Sequence, residues 1–155
     1  MRFHFIDEIV DMVAGQRVHG SMTLPAEEEL FEDHFPGFPV VPGVLLIEMM
    51  AQASGKCLDA ENRSRGKAML AQVRHASFRR WTYPGERLEV FAEITASTAS
   101  FASATCRVEC GSDTVADAEL LFTFVPYTRL APGLRDEVLE RYLRRSGASP
   151  EDELA

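Results

Sequence analysis

Cysteine is scarce in this sequence. The three cysteines, Cys57, Cys106 and Cys110, are an odd number, and none belongs to a Cys-x-x-Cys pair or to a Cys/His cluster with zinc spacing. These absences argue against a disulfide framework and predict no metal site. They also favour a reducing compartment, so the cysteines are interpreted as small core or surface residues.

Long apolar runs and an excess of basic residues are also missing. No stretch of eighteen apolar residues occurs, and the N-terminus has no apolar signal-peptide core. A net charge of -8 argues against a general affinity for nucleic acid or for an anionic membrane, both of which need a basic surface. We therefore expect a cytoplasmic protein that neither binds nucleic acid nor inserts into a membrane.

Several well-known catalytic motifs are absent as well. The sequence has no Gly-x-Ser-x-Gly elbow, no Gly-x-x-x-x-Gly-Lys-[Ser/Thr] loop, no His-Glu-x-x-His and no Gly-x-Gly-x-x-Gly. No serine nucleophile, phosphate cradle, catalytic zinc or dinucleotide site is predicted, and we expect no cofactor.

What the chain does contain is enough for one compact domain, with 155 residues of which 46% are hydrophobic. A long apolar segment without proline, from Gly43 to about Asp59, predicts a buried helix. Four β-like runs follow, separated by turn residues such as Pro84-Gly85 and Gly111-Ser112-Asp113, and predict antiparallel hairpins. These runs are 68–78, 86–97, 101–110 and 114–125. The predicted fold class is α+β, with a helix against an antiparallel sheet.

The two ends of the chain are less uniform. Residues 3–13 fit either a strand or a helix, whereas 17–24 alternate as in a strand and 27–31 fit a short helical turn. After Gly133, apolar residues recur at helical spacing up to Gly147. We therefore divide the chain into a main domain at 1–130, a C-terminal helix at 131–147 and an acidic disordered tail at 148–155.

One constellation suggests chemistry. His34 lies on a loop with a proline at every third position, which biases the loop toward extended conformers. Gly43 falls where the long helix begins, and unpaired N–H groups there can bind a polarised carbonyl. Glu48 lies in an apolar helix, where an ionised carboxylate needs a partner, and Gln52 is placed one turn further on the same face. A base, an acid and a carbonyl-binding group suit proton removal next to a carbonyl.

Residue spacing alone leaves other interpretations open. His34 could cap a turn, the prolines could only shape a connection, and Glu48 could face solvent or pair with an arginine. A Pro-x-x-Pro ligand for another protein is a further alternative, although the flanking Phe35, Phe38, Val40 and Val41 are expected to be buried. The basic cluster of Arg74, Arg79, Arg80 and Arg87 could be a local basic rim or merely solvated strand ends.

The same residues carry a family resemblance. The sequence resembles the FabZ-type 3-hydroxyacyl-[acyl-carrier-protein] dehydratases in His34-Phe-Pro-Gly, Pro42-Gly43-Val-Leu, Glu48 and Ala51-Gln52-Ala-Ser-Gly. It extends to Phe78-Arg79-Arg80 followed by Pro84-Gly85-Glu86, and to the run Ala116 to Phe124, so that about residues 3–126 are covered. The resemblance implies a hot-dog fold, in which an antiparallel sheet wraps around the central helix, and a homodimer or a trimer of dimers.

The resemblance also implies roles for individual residues. His34 and Glu48 would be catalytic and would meet across the dimer interface, while the Gly43 N–H would bind the thioester carbonyl. The Val40 carbonyl would orient His34, and Gln52 would hydrogen-bond Glu48. The implied reaction is the dehydration of a 3-hydroxyacyl thioester on acyl carrier protein to the trans-2-enoyl thioester. A Glu rather than an Asp at this helix position favours dehydration without double-bond isomerisation.

A substrate carried on acyl carrier protein implies two further sets of contacts, one with the carrier protein and one with the acyl chain. An acidic carrier protein needs a basic landing site, for which Arg74, Arg79 and Arg80 are the candidates. The candidates for the acyl tunnel are Phe35, Phe38, Val41, Leu45 and Met49, each of which could equally be core.

Three features depart from the family pattern: Asp33 in place of a glycine, Phe38 in place of a basic residue, and a longer C-terminal segment. Close relatives serve specialised polyene, polyketide or envelope-lipid synthesis as well as primary fatty-acid synthesis. The rival functions are a hot-dog acyl thioesterase and a non-catalytic hot-dog subunit that pairs with an active partner or binds acyl chains.

Overall fold

The computed structural model describes residues 2–130 and 132–147, and the predicted tail at 148–155 lies outside this range. The first elements are the strands β1, Glu8–Val13, and β2, Arg17–Met22, followed by a short helix α1, Leu30–Asp33. The central helix α2 spans Gly43–Glu61. The remaining elements are β3 at Lys67–Phe78, β4 at Leu88–Ser97, β5 at Phe101–Cys110, β6 at Asp113–Val125 and α3 at Glu137–Ser146.

The six strands form one antiparallel sheet in the order β1-β2-β4-β5-β6-β3. The helix α2 packs against one face of this sheet and contacts all six strands, as expected of the hot-dog fold. Four of its residues are 0% exposed and form the centre of the core: Met49, Met50, Ala53 and Leu58. The predicted combination of a buried helix and an antiparallel sheet is confirmed.

One predicted strand pairing is wrong. The turn residues Pro84-Gly85 suggested a hairpin between the strands now labelled β3 and β4, but β3 pairs with β6 at the far end of the sheet. The segment between β3 and β4 contains the turn, but it connects the edge of the sheet to its middle instead of joining two neighbouring strands. Local turn signals indicate where a strand ends, but they do not say which strand becomes its neighbour.

The two edges of the sheet differ. The edge strand β1 is partly covered by α3, because Tyr142 Oη donates to the Met12 carbonyl at 3.2 Å and Arg145 donates to the Ile9 carbonyl at 2.9 Å. Within the described residues, no hydrogen bond joins α3 to the other edge strand, β3, and the apolar β3 residues Met69, Leu70 and Val73 are 40–46% exposed. An open apolar strand edge is a surface for pairing with another chain.

The helix α3 begins and ends at the signals that its sequence contains. Asp136 accepts a hydrogen bond from the Leu139 N–H as an N-cap, and Gly147 terminates the helix in the left-handed conformation at φ 78°. No helix in residues 2–130 and 132–147 is long and apolar enough to cross a membrane.

The residue just before β3, Gly66, has a backbone conformation and a close contact that only glycine tolerates, so its substitution should destabilise the protein. Gly66 has φ +103°, and an added Cβ would lie 2.2 Å from the Val125 carbonyl oxygen, whereas Gly111 at φ +60° has no atom within 4 Å of that position. We expect Gly66→Ala to lower the free energy of unfolding by about 3 kcal/mol or more, through backbone strain and overlap together. Gly111→Ala, with strain alone, should lose roughly 1–2 kcal/mol. Urea unfolding of both variants tests this, and equal losses would contradict it.

Candidate active site

The loop that carries His34 is a tight turn rather than the extended segment predicted from its prolines. The backbone N–H and carbonyl groups of Phe35 and Phe38 pair with each other at 3.0 and 2.9 Å, and Gly37 has φ 73°. The Val40 N–H donates to the His34 carbonyl at 3.1 Å, which closes the base of the turn. Backbone hydrogen bonds, and not proline stiffness alone, therefore fix the position of His34.

The side chain of His34 is held by the same turn. Its Nδ1 lies 3.0 Å from the Val40 carbonyl oxygen, and its ring stacks on Phe35 with centroids 4.1 Å apart. A carbonyl oxygen can only accept, so Nδ1 carries the proton of the neutral imidazole. The other nitrogen, Nε2, then has a free lone pair, and no described residue is hydrogen-bonded to it. The arrangement can act as a general base.

Glu48 and Gln52 are one turn apart on α2. Gln52 Nε2 donates to Glu48 Oε1 at 3.0 Å, as the spacing of four residues predicted. The amide of Gln52 is itself fixed, because its Oε1 accepts from the Phe5 N–H at 2.8 Å and its Nε2 also reaches the Phe3 carbonyl at 3.3 Å. The N-terminal segment thus sets the orientation of the amide, and the amide orients the half-buried carboxylate.

Gly43 is the first residue of α2, and Pro42 precedes it as the N-cap. No described residue accepts its N–H, as is usual for the first turn of a helix. An added Cβ at Gly43 would lie 3.0 Å from Cε1 of Phe78, so the space above its Cα is filled by that ring. The glycine therefore permits close packing of Phe78, while its N–H stays free to bind an oxyanion.

A second loop, between β3 and β4, lies against the His34 loop. The Val41 N–H donates to the Thr82 carbonyl at 2.8 Å, and Phe38 makes edge contacts with Trp81 and Tyr83 at centroid distances of 5.4 and 6.2 Å. Trp81 and Tyr83 were not predicted as site residues, although two aromatic residues beside Arg79 and Arg80 were a visible signal in the sequence. They form an exposed aromatic patch next to the histidine.

The five residues predicted for the acyl tunnel are in different environments. Val41 and Met49 are core residues at 6% and 0% exposure, and Leu45 is half-buried. Phe35 and Phe38, which were expected to be buried, are 50% and 45% exposed, so that expectation was wrong. A cavity of about 510 Å³ opens beside Glu48 and Gln52, and neither His34 nor any of these five residues lines it.

The arginines of the predicted basic rim are mostly paired. Arg79 Nε lies 2.6 Å from Asp117, and Arg80 lies 3.6 Å from Glu86 and 3.5 Å from Asp113. Arg74 is exposed on β3 and has no carboxylate partner among the described residues.

Two of the three thiols are buried and unreactive. Burial raises the pKa of Cys57 and of Cys106 to about 11, so that neither is a thiolate at neutral pH. Within the described residues, no group of three His, Cys, Asp or Glu side chains could hold a metal ion. The polar groups around the two loops and α2 therefore define the candidate site.

Comparisons with solved structures support the fold. The dehydratase heterocomplex ApeI:P from Xenorhabdus doucetiae superimposes with a TM-score of 0.65 at 20% identity, over 83% of this chain and 87% of that one. The zebra fish thioesterase superfamily member 2 gives a TM-score of 0.60 at 11% identity, over 76% of this chain and 80% of that one. At such low identity, these similarities show the hot-dog fold alone.

Comparisons of sequence go further. The 3-hydroxyacyl-[acyl-carrier-protein] dehydratase FabZ of Desulforamulus reducens is 36% identical over 121 residues, which are 77% of this chain and 85% of the relative. The FabZ of Listeria welshimeri is 34% identical, over 77% of this chain and 84% of the relative. The family model of the ApeI-like dehydratases matches residues 11–115. With this match across the His34 loop, α2 and most of the sheet, the chain belongs to the ApeI-like family of dehydratases.

Proposed function

We propose that this protein dehydrates a 3-hydroxyacyl thioester carried on acyl carrier protein to the trans-2-enoyl thioester, with His34 and Glu48 as the catalytic residues. The observation that carries the proposal is the hydrogen bond from His34 Nδ1 to the Val40 carbonyl, because it leaves Nε2 as the base. His34 removes a proton from the carbon next to the thioester carbonyl. Its ring needs no further partner for this step.

The remaining groups have complementary roles. Negative charge develops on the carbonyl oxygen as the proton leaves, and the free N–H of Gly43 at the start of α2 stabilises it. Glu48, oriented by Gln52, assists departure of the hydroxyl on the next carbon. The bond from that carbon to oxygen breaks and the double bond forms, while the hydroxyl takes a proton from the protonated Glu48 carboxyl group and leaves as water. The proton on His34 Nε2 is passed back to Glu48 before the next turnover, so that the cycle consumes no net proton. No net oxidation occurs, in keeping with a set of residues that needs no redox partner.

The active site is proposed to be shared between two copies of the chain. Within one chain, His34 contacts Val40 and Phe35, Glu48 contacts Gln52, and no described interaction joins the two groups. The open β3 edge, with apolar residues 40–46% exposed, is the surface on which a second copy would pair. A homodimer through β3 is the minimal unit of this proposal, and a trimer of dimers would be built from it.

The product of the reaction tests the proposed function. Incubation with a 2-enoyl thioester should consume its conjugated absorbance by hydration, without release of free thiol. A thioesterase would instead release thiol, and a non-catalytic subunit would do neither. We expect His34→Ala to lower kcat by about 100-fold or more, the usual contribution of a general base. Full turnover in His34→Ala would disprove the catalytic assignment.

Mixed dimers test whether the active site is shared. When His34→Ala chains are combined with Glu48→Gln chains, a mixed dimer with shared sites has one intact site, with His34 from one chain and Glu48 from the other. Activity should therefore return when the two inactive proteins are unfolded and refolded together. If both residues of a site came from the same chain, every site would be defective and no activity would return. The separately refolded variants are the controls.

We propose that the carrier protein docks on the rim formed by Arg74, Arg79 and Arg80. The loop after β3 carries Arg79 and Arg80 next to Trp81 and Tyr83, and these two aromatic residues contact Phe38 of the His34 loop. A basic rim here would bring the thioester of an acidic carrier close to His34. The Arg79 side chain is 56% exposed and Arg80 is half-buried with carboxylates 3.5–3.6 Å away, so these ion pairs contribute little and their carboxylates can be exchanged for those of a carrier.

Charge reversal tests the docking proposal. We expect Arg79→Glu with Arg80→Glu to raise KM for the carrier-linked substrate by about tenfold, chiefly by slowing association, and to change kcat little. A thioester of a short, uncharged thiol should be turned over as by the natural sequence. Arg87→Glu is the control, because Arg87 is 58% exposed, close to the 56% of Arg79, and also has a carboxylate partner, Glu89, at 2.7 Å. Equal effects on both thioesters would contradict carrier docking.

A further inference from the structure

The cavity beside Glu48 runs along one face of the central helix. Its residues on α2 follow a spacing of three and four, which places them in one line on a helix. The last of these residues is eleven positions after the first, so the cavity follows α2 for about 16 Å at 1.5 Å per residue. The line consists of Glu48, Ala51, Gln52, Gly55, Lys56 and Asp59.

The other walls of the cavity combine apolar and charged residues. Met69 and Leu70 of β3, Leu139 and Leu143 of α3 and Phe122 of β6 line it together with His4, Arg135 and Glu140. The C-terminal helix is therefore part of the cavity wall and does more than cover β1. The cavity has a volume of about 510 Å³, which is in the range of pockets that enclose small ligands.

Gly55 lies in the middle of the line and leaves a gap in the wall. A Cβ added there would have no atom within 4 Å, although the residue is buried. Glycine weakens a helix interior, and here it does not serve close packing with any neighbour. What it does is widen the cavity halfway between Glu48 and the far end.

The far end is closed by ionic pairs. Lys56 Nζ binds both carboxylate oxygens of Asp136 at 2.8 and 2.7 Å, and Asp59 pairs with Lys67. Asp59 also accepts the Ala68 N–H at 3.0 Å. Asp136 is at the same time the N-cap of α3, so a single carboxylate both starts the C-terminal helix and ties it to the central one.

Burial and the neighbouring charges shift the pKa values of Asp59 and Asp136 in opposite directions. Burial alone would raise the pKa of Asp136, but the ammonium groups of Lys56 and Lys67 and the Leu139 N–H together hold the pKa below its usual range. For Asp59, burial prevails over the attraction of Lys67, and its pKa is raised. A hydrocarbon chain pushed against this cluster would remove water from charged groups without giving them a new partner, which is unfavourable.

We propose that this cavity takes the distal part of the substrate's acyl chain, with α3 as its outer wall, and that Gly55 and the Lys56–Asp136 pair determine the chain length accepted. The inference rests on the proposed function, because the cavity begins at the glutamate assigned to catalysis. An apolar chain that enters beside Glu48 passes over Gly55 and between Leu70 and Leu139. It ends where the ionic pairs begin.

Substitution of Gly55 tests the proposal. The quantity measured is the ratio of kcat/KM for a 3-hydroxydodecanoyl thioester to that for a 3-hydroxybutyryl thioester, both on carrier protein. Gly55→Leu should lower this ratio by about tenfold or more, because several methylene groups lose their space. Gly55→Ala should lower it less, and it favours the helix, so that it remains informative if the leucine variant does not fold. Arg141→Leu, on an exposed residue of α3 outside the cavity, should leave the ratio unchanged.

Removal of the charges at the far end of the cavity tests the role of the Lys56–Asp136 pair. Lys56→Met combined with Asp136→Asn removes both charges but keeps an N-cap acceptor for Leu139, and it should raise the same ratio several-fold. A ratio that stays unchanged in Gly55→Leu, in an enzyme that still dehydrates the short thioester, would overturn the inference and leave the proposed function intact. Equal losses for both thioesters would overturn it as well. If the natural sequence dehydrates neither thioester, the proposed function fails, and the inference fails with it.

Discussion

The central helix is buried along most of its length and still carries a line of polar side chains. These side chains need hydrogen-bond and ion-pair partners, and the arrangement of the rest of the structure provides them. Glu48 and Gln52 bond to each other, Gln52 is held by Phe3 and Phe5, and Lys56 binds Asp136. The partners of Gln52 outside the helix come from the N-terminal segment, and the partner of Lys56 comes from the C-terminal helix. Because buried polar groups without partners are costly, the N-terminal segment and the C-terminal helix are both bound to α2 by the polar line that also carries the candidate acid.

The same constraint divides the helix into two ends with different chemistry. At its N-terminal end the backbone N–H of Gly43 is unpaired and Glu48 is only half-buried, which leaves groups available to a substrate. Toward the other end Lys56 and Asp59 are buried and fully engaged in ion pairs. A ligand can therefore gain interactions near Glu48 and can only disturb them near Asp59.

The sequence predicted what depends on neighbours along the chain and missed what depends on distant ones. Apolar runs located α2 and the strands, and the spacing of four residues predicted the bond between Gln52 and Glu48. The pairing of β3 with β6 and the Lys56–Asp136 pair, which joins residues 80 positions apart, left no local signal. The exposure of Phe35 and Phe38 was missed for a related reason, because apolar character alone does not reveal that a turn projects its side chains from the surface.

The balance of charge around the His34 loop affects how a partner would bind there. In a chain of net charge -8, Arg79 and Arg80 are held by Asp117, Glu86 and Asp113, so the local field is weaker than the arginine cluster suggests. An acidic partner would exchange one set of carboxylates for another, and such an exchange adds little net affinity. Its main effects would be on orientation and on the rate of encounter. Weak binding of this kind suits a carrier that must leave after each turnover, since a tightly held product complex would limit the rate.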